Sequence, residues 1–183
     1  MHAPDRVASV GLADGGADLD GILALQRANL ESSLAPDEAA REGYVTVVHT
    51  RAALEAMHAI QPSIVARVGH ELVGYALVMP VECRPLVPIL EPMFAKLAEL
   101  NIDIRRTYIM GQVCIAKPWR GTGLFDAMYA AHRRLFKDRW DLCVTDVALR
   151  NTRSLRAHER VGFERLTTYT DASDTWAMVG LRL

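Results

Sequence analysis

Apolar positions change period along this chain, and the changes mark its elements. Tyr108 to Ile115 is apolar, uncharged and β-prone, as a buried strand should be. Pro118 and Gly121 break that run. From Gly123 onward, apolar residues recur at Leu124, Met128, Ala131 and Leu135, a helical spacing that predicts a helix over Leu124–Phe136. Ser63–Val68 and Glu71–Met79 flank a short turn with Gly69, which predicts a hairpin. Arg51–Ile60 sets Leu54, Met57 and Ile60 on one helical face, and Pro85–Leu100 does the same with Leu90, Met93, Leu97 and Leu100. Toward the N-terminus, Arg6–Leu12 predicts a strand. Ala13–Asp20 predicts a turn in which Asp14, Asp18 and Asp20 can cap. Gly21–Leu30 predicts a helix, Leu34–Glu42 a short second one, and Gly43–His49 is β-like. In the C-terminal part, Leu142–Leu149 predicts a strand and Asn151–Val161 a basic helix, with Gly162 as its C-cap. Phe163–Thr170 and Thr175–Leu183 predict two last strands joined by Asp-Ala-Ser-Asp. This order predicts an α/β (α+β) chain with a mixed sheet and helices on both faces.

Composition narrows the class. The chain has 183 residues and half are apolar, enough for one domain over 1–183 that buries about 70% of its unfolded surface. Uncharged stretches stay near ten residues, too short for a membrane span. The first residues, Met-His-Ala-Pro-Asp-Arg, do not look like a secretory signal. Cys83, Cys114 and Cys143 are widely spaced within apolar segments and read as reduced core thiols of a cytoplasmic protein. No metal-binding spacing is present. The net charge of −1 argues against general nucleic-acid binding. The first hundred residues, however, hold 7 Lys or Arg against 13 Asp or Glu, while the remainder hold 14 against 9. The basic excess suits an anionic ligand, although a solvated basic face has the same composition.

The turn between Ile115 and Leu124 is the candidate for that ligand. The first N–H groups of a helix have no internal partner, and aligned peptide dipoles add about half a positive charge there. Gly121 and Gly123 let backbone approach a ligand, and Arg120 adds a planar cation that suits phosphate. The segment reads as a phosphate or pyrophosphate cradle, or as an ordinary strand-to-helix turn. It is neither of two better-known cradles. No Gly-Lys pair exists for a P-loop, and Asp126 stands where the dinucleotide fingerprint needs its third glycine.

Arg-Gly-Thr-Gly-Leu-Phe (Arg120–Phe125) resembles the cofactor loop of the GNAT N-acetyltransferase superfamily, Arg/Gln-x-x-Gly-x-Gly/Ala. Arg120 and Gly123 match, and Phe125 replaces the closing Gly or Ala. Asn151–Phe163 resembles the second motif, an Asn followed by a helix ending in Tyr-x-x-x-Gly-Phe. Asn151, Gly162 and Phe163 match, and His158 stands where the Tyr usually is. The resemblance covers Tyr108 to Phe163 and implies a splayed central sheet. It also implies direct transfer of an acetyl group from acetyl-CoA, a cosubstrate, to a primary amine. The strand Val113, Cys114, Ile115 would then pair with the pantetheine arm through the backbone of Val113 and Ile115. Gly111 would mark the bulge that opens the sheet. Amides of Arg120, Gly121, Thr122, Gly123, Leu124 and Phe125 would hold the pyrophosphate, with the Phe125 ring turned into the core. Asn151 would contact the cofactor, cap its helix, or both.

A leaving thiolate, with pKa roughly 8.5, needs a proton at neutral pH. His158 is the expected acid by position. Asp146, mid-strand where many relatives carry Glu, and Glu82 are the two expected bases; no metal is expected. The acceptor stays open between a small-molecule and a peptide amine. Glu31, Asp37, Glu38 and Glu42 would attract a cationic amine, and a solvated acidic surface would look the same. The last strands leave room for a homodimer without requiring one. Two other readings stay open: a non-catalytic GNAT-fold protein binding acyl-CoA as sensor or scaffold, and a general nucleotide-binding module.

Overall fold

The computed structural model describes residues 7–35, 37–38 and 43–183. Seven strands form one sheet: β1 (Ser9–Leu12), β2 (Ile64–Val68), β3 (Glu71–Met79), β4 (Thr107–Ile115), β5 (Leu142–Ala148), β6 (Glu164–Thr170) and β7 (Thr175–Arg182). Their order is β1-β2-β3-β4-β5-β7-β6. Neighbours are antiparallel except β4 and β5, which run parallel.

Among the described residues, five longer α-helices flank the sheet: α1 (Gly16–Asn29), α2 (Arg51–Ile60), α3 (Glu91–Glu99), α4 (Leu124–Phe136) and α5 (Thr152–Arg160). Strand alternation divides the apolar residues between two cores. Ala76 and Val78 of β3 join Tyr108, Met128 and Phe136 on the α4–α5 face. Tyr75, Leu77 and Met79 join Ile22, Leu54 and Leu97 on the α1–α2–α3 face. The sheet therefore carries helices on both faces, as its sequence pattern predicts.

Three segments depart from the expected pattern. α1 begins at Gly16, not Gly21. The Asp18 carboxylate takes 2.7 Å hydrogen bonds from the Asp14 amide and from Arg67 Nε, so the acidic stretch becomes the first helical turn. Pro85–Leu100 is not one helix. Pro85 and Pro88 hold two 3-10 turns, Val81–Leu86 and Pro88–Leu90, ahead of α3, because proline lacks the N–H that a continuing helix needs. Gly43–His49 forms no strand and makes a single parallel bridge, Leu30 to Val45. Arg6 of the expected first strand, and residues 36 and 39–42 of the expected short helix, lie outside the described residues. Among the described residues no helix is long and apolar enough to cross a membrane.

The feature that matters most is where β4 and β5 stop pairing. Their register holds for Thr107–Leu142, Tyr108–Cys143 and Ile109–Val144, and then the strands part. On the other side of β4, Ala76 pairs Val113 while Val78 pairs Met110. One residue of β3 thus opposes Gly111 and Gln112, a β-bulge at the point of opening. A Cβ on Gly111 would lie 2.1 Å from Met79 Sδ, so glycine suits this close approach.

Candidate active site

The opening between β4 and β5 holds three hollows with shared walls. A groove of about 660 Å3 runs past Val113, Ile115, Arg120, Gly121 and α5. A narrow cleft of about 80 Å3 lies between the parted strands, lined by Gly111, Val113, Asp146 and Asn151. A cavity of about 310 Å3 opens beyond it, around Met110, Asp146, Tyr169 and Trp176. Val113 and Asn151 belong to both groove and cleft; Gly111 and Asp146 belong to both cleft and cavity. The three hollows therefore adjoin one another along the opening.

A loop across the top is pinned by two glutamines. Gln26 of α1 donates to His49 O at 3.1 Å and accepts from His49 N at 3.0 Å. Gln112 donates to Val47 O at 2.7 Å and accepts from the Tyr75 hydroxyl at 2.5 Å. Sequence reasoning passed over both residues. The visible signal for Gln112 was an amide inside an otherwise apolar strand.

The groove has the features of an anion site. Gly121 and Gly123 adopt φ of 75° and 84°, a region that favours glycine. A Cβ added at either would meet open space, so the loop leaves its surface clear for a ligand. Gly123 is the N-cap of α4, which starts at Leu124. Arg120, Arg153, Arg156 and Arg160 line the groove, and no carboxylate lines it among the described residues. Asp126, on the first turn of α4, pairs with Arg160 at 2.7 Å, which offsets its repulsion of an anion. The Arg120 side chain is committed partly to the frame. Its Nε donates to Ile115 O at 3.1 Å, and its guanidinium binds Asn29. Thr122 turns its hydroxyl to Trp119 O at 2.8 Å.

Strand geometry sets which backbone groups face the opening. Ala116 N donates to Val73 O at 2.8 Å. In an antiparallel pair successive residues face opposite edges. Cys114 therefore points its peptide groups to β3, and Val113 and Ile115 point theirs into the opening. The Ile115 carbonyl direction is confirmed by its bond from Arg120. The Phe125 ring packs at 4.8 Å from Tyr129 and 5.2 Å from His158, while the residue also lines the groove. Asn151 Oδ1 caps α5, accepting from Ser154 N at 3.2 Å, while the residue also faces groove and cleft.

Of the three expected acid–base residues, Asp146 and His158 both line the cleft between the parted strands, and Glu82 does not. Asp146 sits where cleft meets cavity. One carboxylate oxygen accepts from the Tyr169 hydroxyl. The other is buried with no hydrogen-bond partner among the described residues. Burial pushes the carboxyl up to about 7, against the Tyr169 hydrogen bond, and the Asp171 charge adds to the rise. A base poised near neutrality is well matched to taking a proton.

His158, expected as the acid, lines the cleft and is deeply buried. It is 1% exposed. Its Nδ1 lies 2.8 Å from Ser154 O, and its Nε2 lies 3.2 Å from the Tyr129 hydroxyl. A carbonyl can only accept, so Nδ1 carries the hydrogen and Nε2 accepts from Tyr129. Burial pushes the imidazole down to about 4, so it is neutral at pH 7 with its one proton engaged. Glu82 is exposed in the 3-10 turn after β3 and lines none of the three hollows.

No family model matches the chain, and no curated protein matches it in sequence. Solved structures do. An acetyltransferase of the GNAT family from Streptococcus pneumoniae superposes with a TM-score of 0.65 at 13% identity, covering 97% of this chain and 99% of that one. The Salmonella typhimurium protein yncA, solved with its cofactor acetyl-CoA, gives 0.60 at 18% identity, covering 97% and 94%. A chain of the NatC complex bound to Gag peptide and CoA gives 0.64 at 12% identity, covering 96% and 98%. A seven-stranded sheet that parts between its parallel strands, matched over nearly its whole length by these proteins, gives this chain the GNAT fold.

Proposed function

We propose that this chain transfers an acetyl group from acetyl-CoA directly to a primary amine. One observation carries the reading. The opening between β4 and β5 joins a basic groove, built on a glycine loop, to a cavity whose inner wall is Asp146. The donor and the acceptor would thus enter from opposite sides and meet at the bulge.

The groove residues fit acetyl-CoA. Loop amides around Gly121 and Gly123, at the α4 N-terminus, suit its pyrophosphate, and the arginines of α5 suit its charge. The outward peptide groups of Val113 and Ile115 suit the amides of its pantetheine arm, as an added strand would. Bound there, acetyl-CoA supplies an activated acetyl carbonyl. Asp146 takes a proton from the ammonium form of the acceptor. The freed nitrogen then forms its bond to the acetyl carbon as the carbon–sulfur bond breaks, and the nitrogen's second proton passes to the departing thiolate to give the amide and free CoA thiol. We assign no protein group to the thiolate, because the His158 proton is held by Ser154 O.

Thermal unfolding with acetyl-CoA, CoA, ATP and NAD tests binding. Ligand at 100 times its dissociation constant adds about 2.7 kcal/mol, and the shift should appear with the first two only. Amine-dependent thiol release tests transfer. Equal shifts with ATP and NAD would sink the reading. A shift with CoA but no thiol release from any amine would favour acyl-CoA binding without turnover, a reading to which the sealed His158 lends some support.

A further inference from the structure

The cavity beyond Asp146 says more about the acceptor than the groove does. Four carboxylates line it: Glu31, Asp146, Asp171 and Asp174. Arg150 is the one cation among its described lining residues, and it is already committed. Its Nε donates to Asp174 at 2.6 Å, and its two terminal nitrogens bind Glu31. Asp171 Oδ1 takes hydrogen bonds from Ser173 N at 2.7 Å, Ser173 Oγ at 2.6 Å and Asp174 N at 3.0 Å. Of the carboxylate oxygens here, Asp146 Oδ1 is the buried one left with nothing to bind. A buried acceptor without a partner is costly, and an ammonium group would satisfy it.

Most of the rest of the wall is apolar, beside Thr46, Thr145, Tyr169 and Ser173. Ile89, Leu90 and Met93 come from the proline-held turn and α3; Ile109, Met110 and Trp176 come from the strands. Ile89 is 66% exposed at the rim, left uncovered by the described residues. A volume of about 310 Å3 equals the liquid share of roughly ten waters, enough for a body of about ten non-hydrogen atoms.

Resting on the proposed acetyl transfer, we infer that the acceptor is a small primary amine with an apolar body and no carboxylate. Its ammonium sits on Asp146 Oδ1 and its body lies between Ile89, Met93 and Trp176. A carboxylate on the acceptor would meet Asp171 and Asp146 with no uncommitted cation among the described wall residues. Amino acids are thereby disfavoured by charge, not by size.

2-Phenylethylamine and phenylalanine make the sharpest pair, since they differ only by the carboxylate. Thiol release from acetyl-CoA should show kcat/KM at least 100-fold higher for 2-phenylethylamine, and calorimetry should show that amine binding the CoA-loaded protein. Ile89→Ser, which removes apolar contact without adding charge at an exposed position the fold tolerates, should raise KM for 2-phenylethylamine about tenfold. It should leave kcat and the acetyl-CoA thermal shift in place. Comparable rates with phenylalanine, or a faster rate with a lysine-bearing peptide, would overturn the inference while acetyl transfer stands. Absence of any acetyl-CoA shift would remove the proposed function, and the inference with it.

Discussion

Two ends of the opening hold a buried titratable group, and burial acts on them in opposite directions. At the cavity end, Asp146 is pushed up to about 7; at the α4–α5 interface, His158 is pushed down to about 4. Both shifts have one cause, because low dielectric disfavours the charged form of each. What separates them is the free hydrogen-bonding capacity left over. Asp146 keeps one unpartnered oxygen beside a cavity, whereas His158 spends both ring nitrogens on Ser154 and Tyr129. A perturbed group does chemistry only where it also has an open side. On that ground we propose Asp146 as the reacting group and His158, which lines the cleft with both ring nitrogens engaged, as its support.

Asp146→Asn should break the contrast most severely. Loss of a general base predicts a fall in amine-dependent thiol release of about 10²-fold or more, with the acetyl-CoA thermal shift retained. The same variant should melt higher than the parent at pH 8. The folded carboxyl binds its proton more tightly than the unfolded one. The stability this gives is complete below the unfolded pKa and lost as pH rises through about 7. Asparagine removes the cost of an ionised buried carboxylate above that point.

The pH profile comes next in size. The parent's kcat/KM should fall about tenfold for each unit below pH 7 as Asp146 protonates, and Asp146→Asn should lack that limb. A profile shared by both proteins would assign the titration elsewhere.

Gly123→Ala probes the groove. At φ 84° the added Cβ strains the loop by about 1 kcal/mol, and the acetyl-CoA dissociation constant should rise about tenfold, read by calorimetry. Because a Cβ there meets only open space in the protein, affinity unchanged by the substitution would place the anion elsewhere.

His158→Phe should spare turnover within about threefold and lower stability by about 1–3 kcal/mol, since it strands the Tyr129 hydroxyl. It should also flatten part of the acid limb of unfolding. A histidine kept neutral by burial contributes stability that is lost as pH falls from its unfolded value near 6.5 through about 4; His49 and His132 act in the same direction. A tenfold drop in kcat at full stability would restore the acid role. The smallest effect belongs to Glu82→Gln, for which thiol-release kinetics should be unchanged.

Residue patterns along the chain determined the local elements of this protein. The apolar run before Ile115, the breaks at Pro118 and Gly121 and the spacing from Leu124 settle β4, the loop and α4, because period and turn chemistry are properties of neighbours in sequence. The same is true of the hairpin at Gly69 and the cap at Asn151. The sequence also placed Gly111 at the bulge, where only a small residue fits. Tertiary structure decided the rest. Asp146 and Glu82 were both candidates as carboxylates near strands, with Asp146 ahead as a mid-strand acid; the parting of β4 from β5 set Asp146 against a cavity and left Glu82 in solvent. His158 matched a motif position on a basic helix, yet its neighbours Tyr129, Phe125 and Phe163 come from α4 and the segment after α5. Burial, and with it protonation, depends on contacts between residues distant in sequence. The wall of Tyr169, Trp176, Arg150 and the Ile89 turn was illegible for the same reason. Four separate segments meet there only once the sheet has opened.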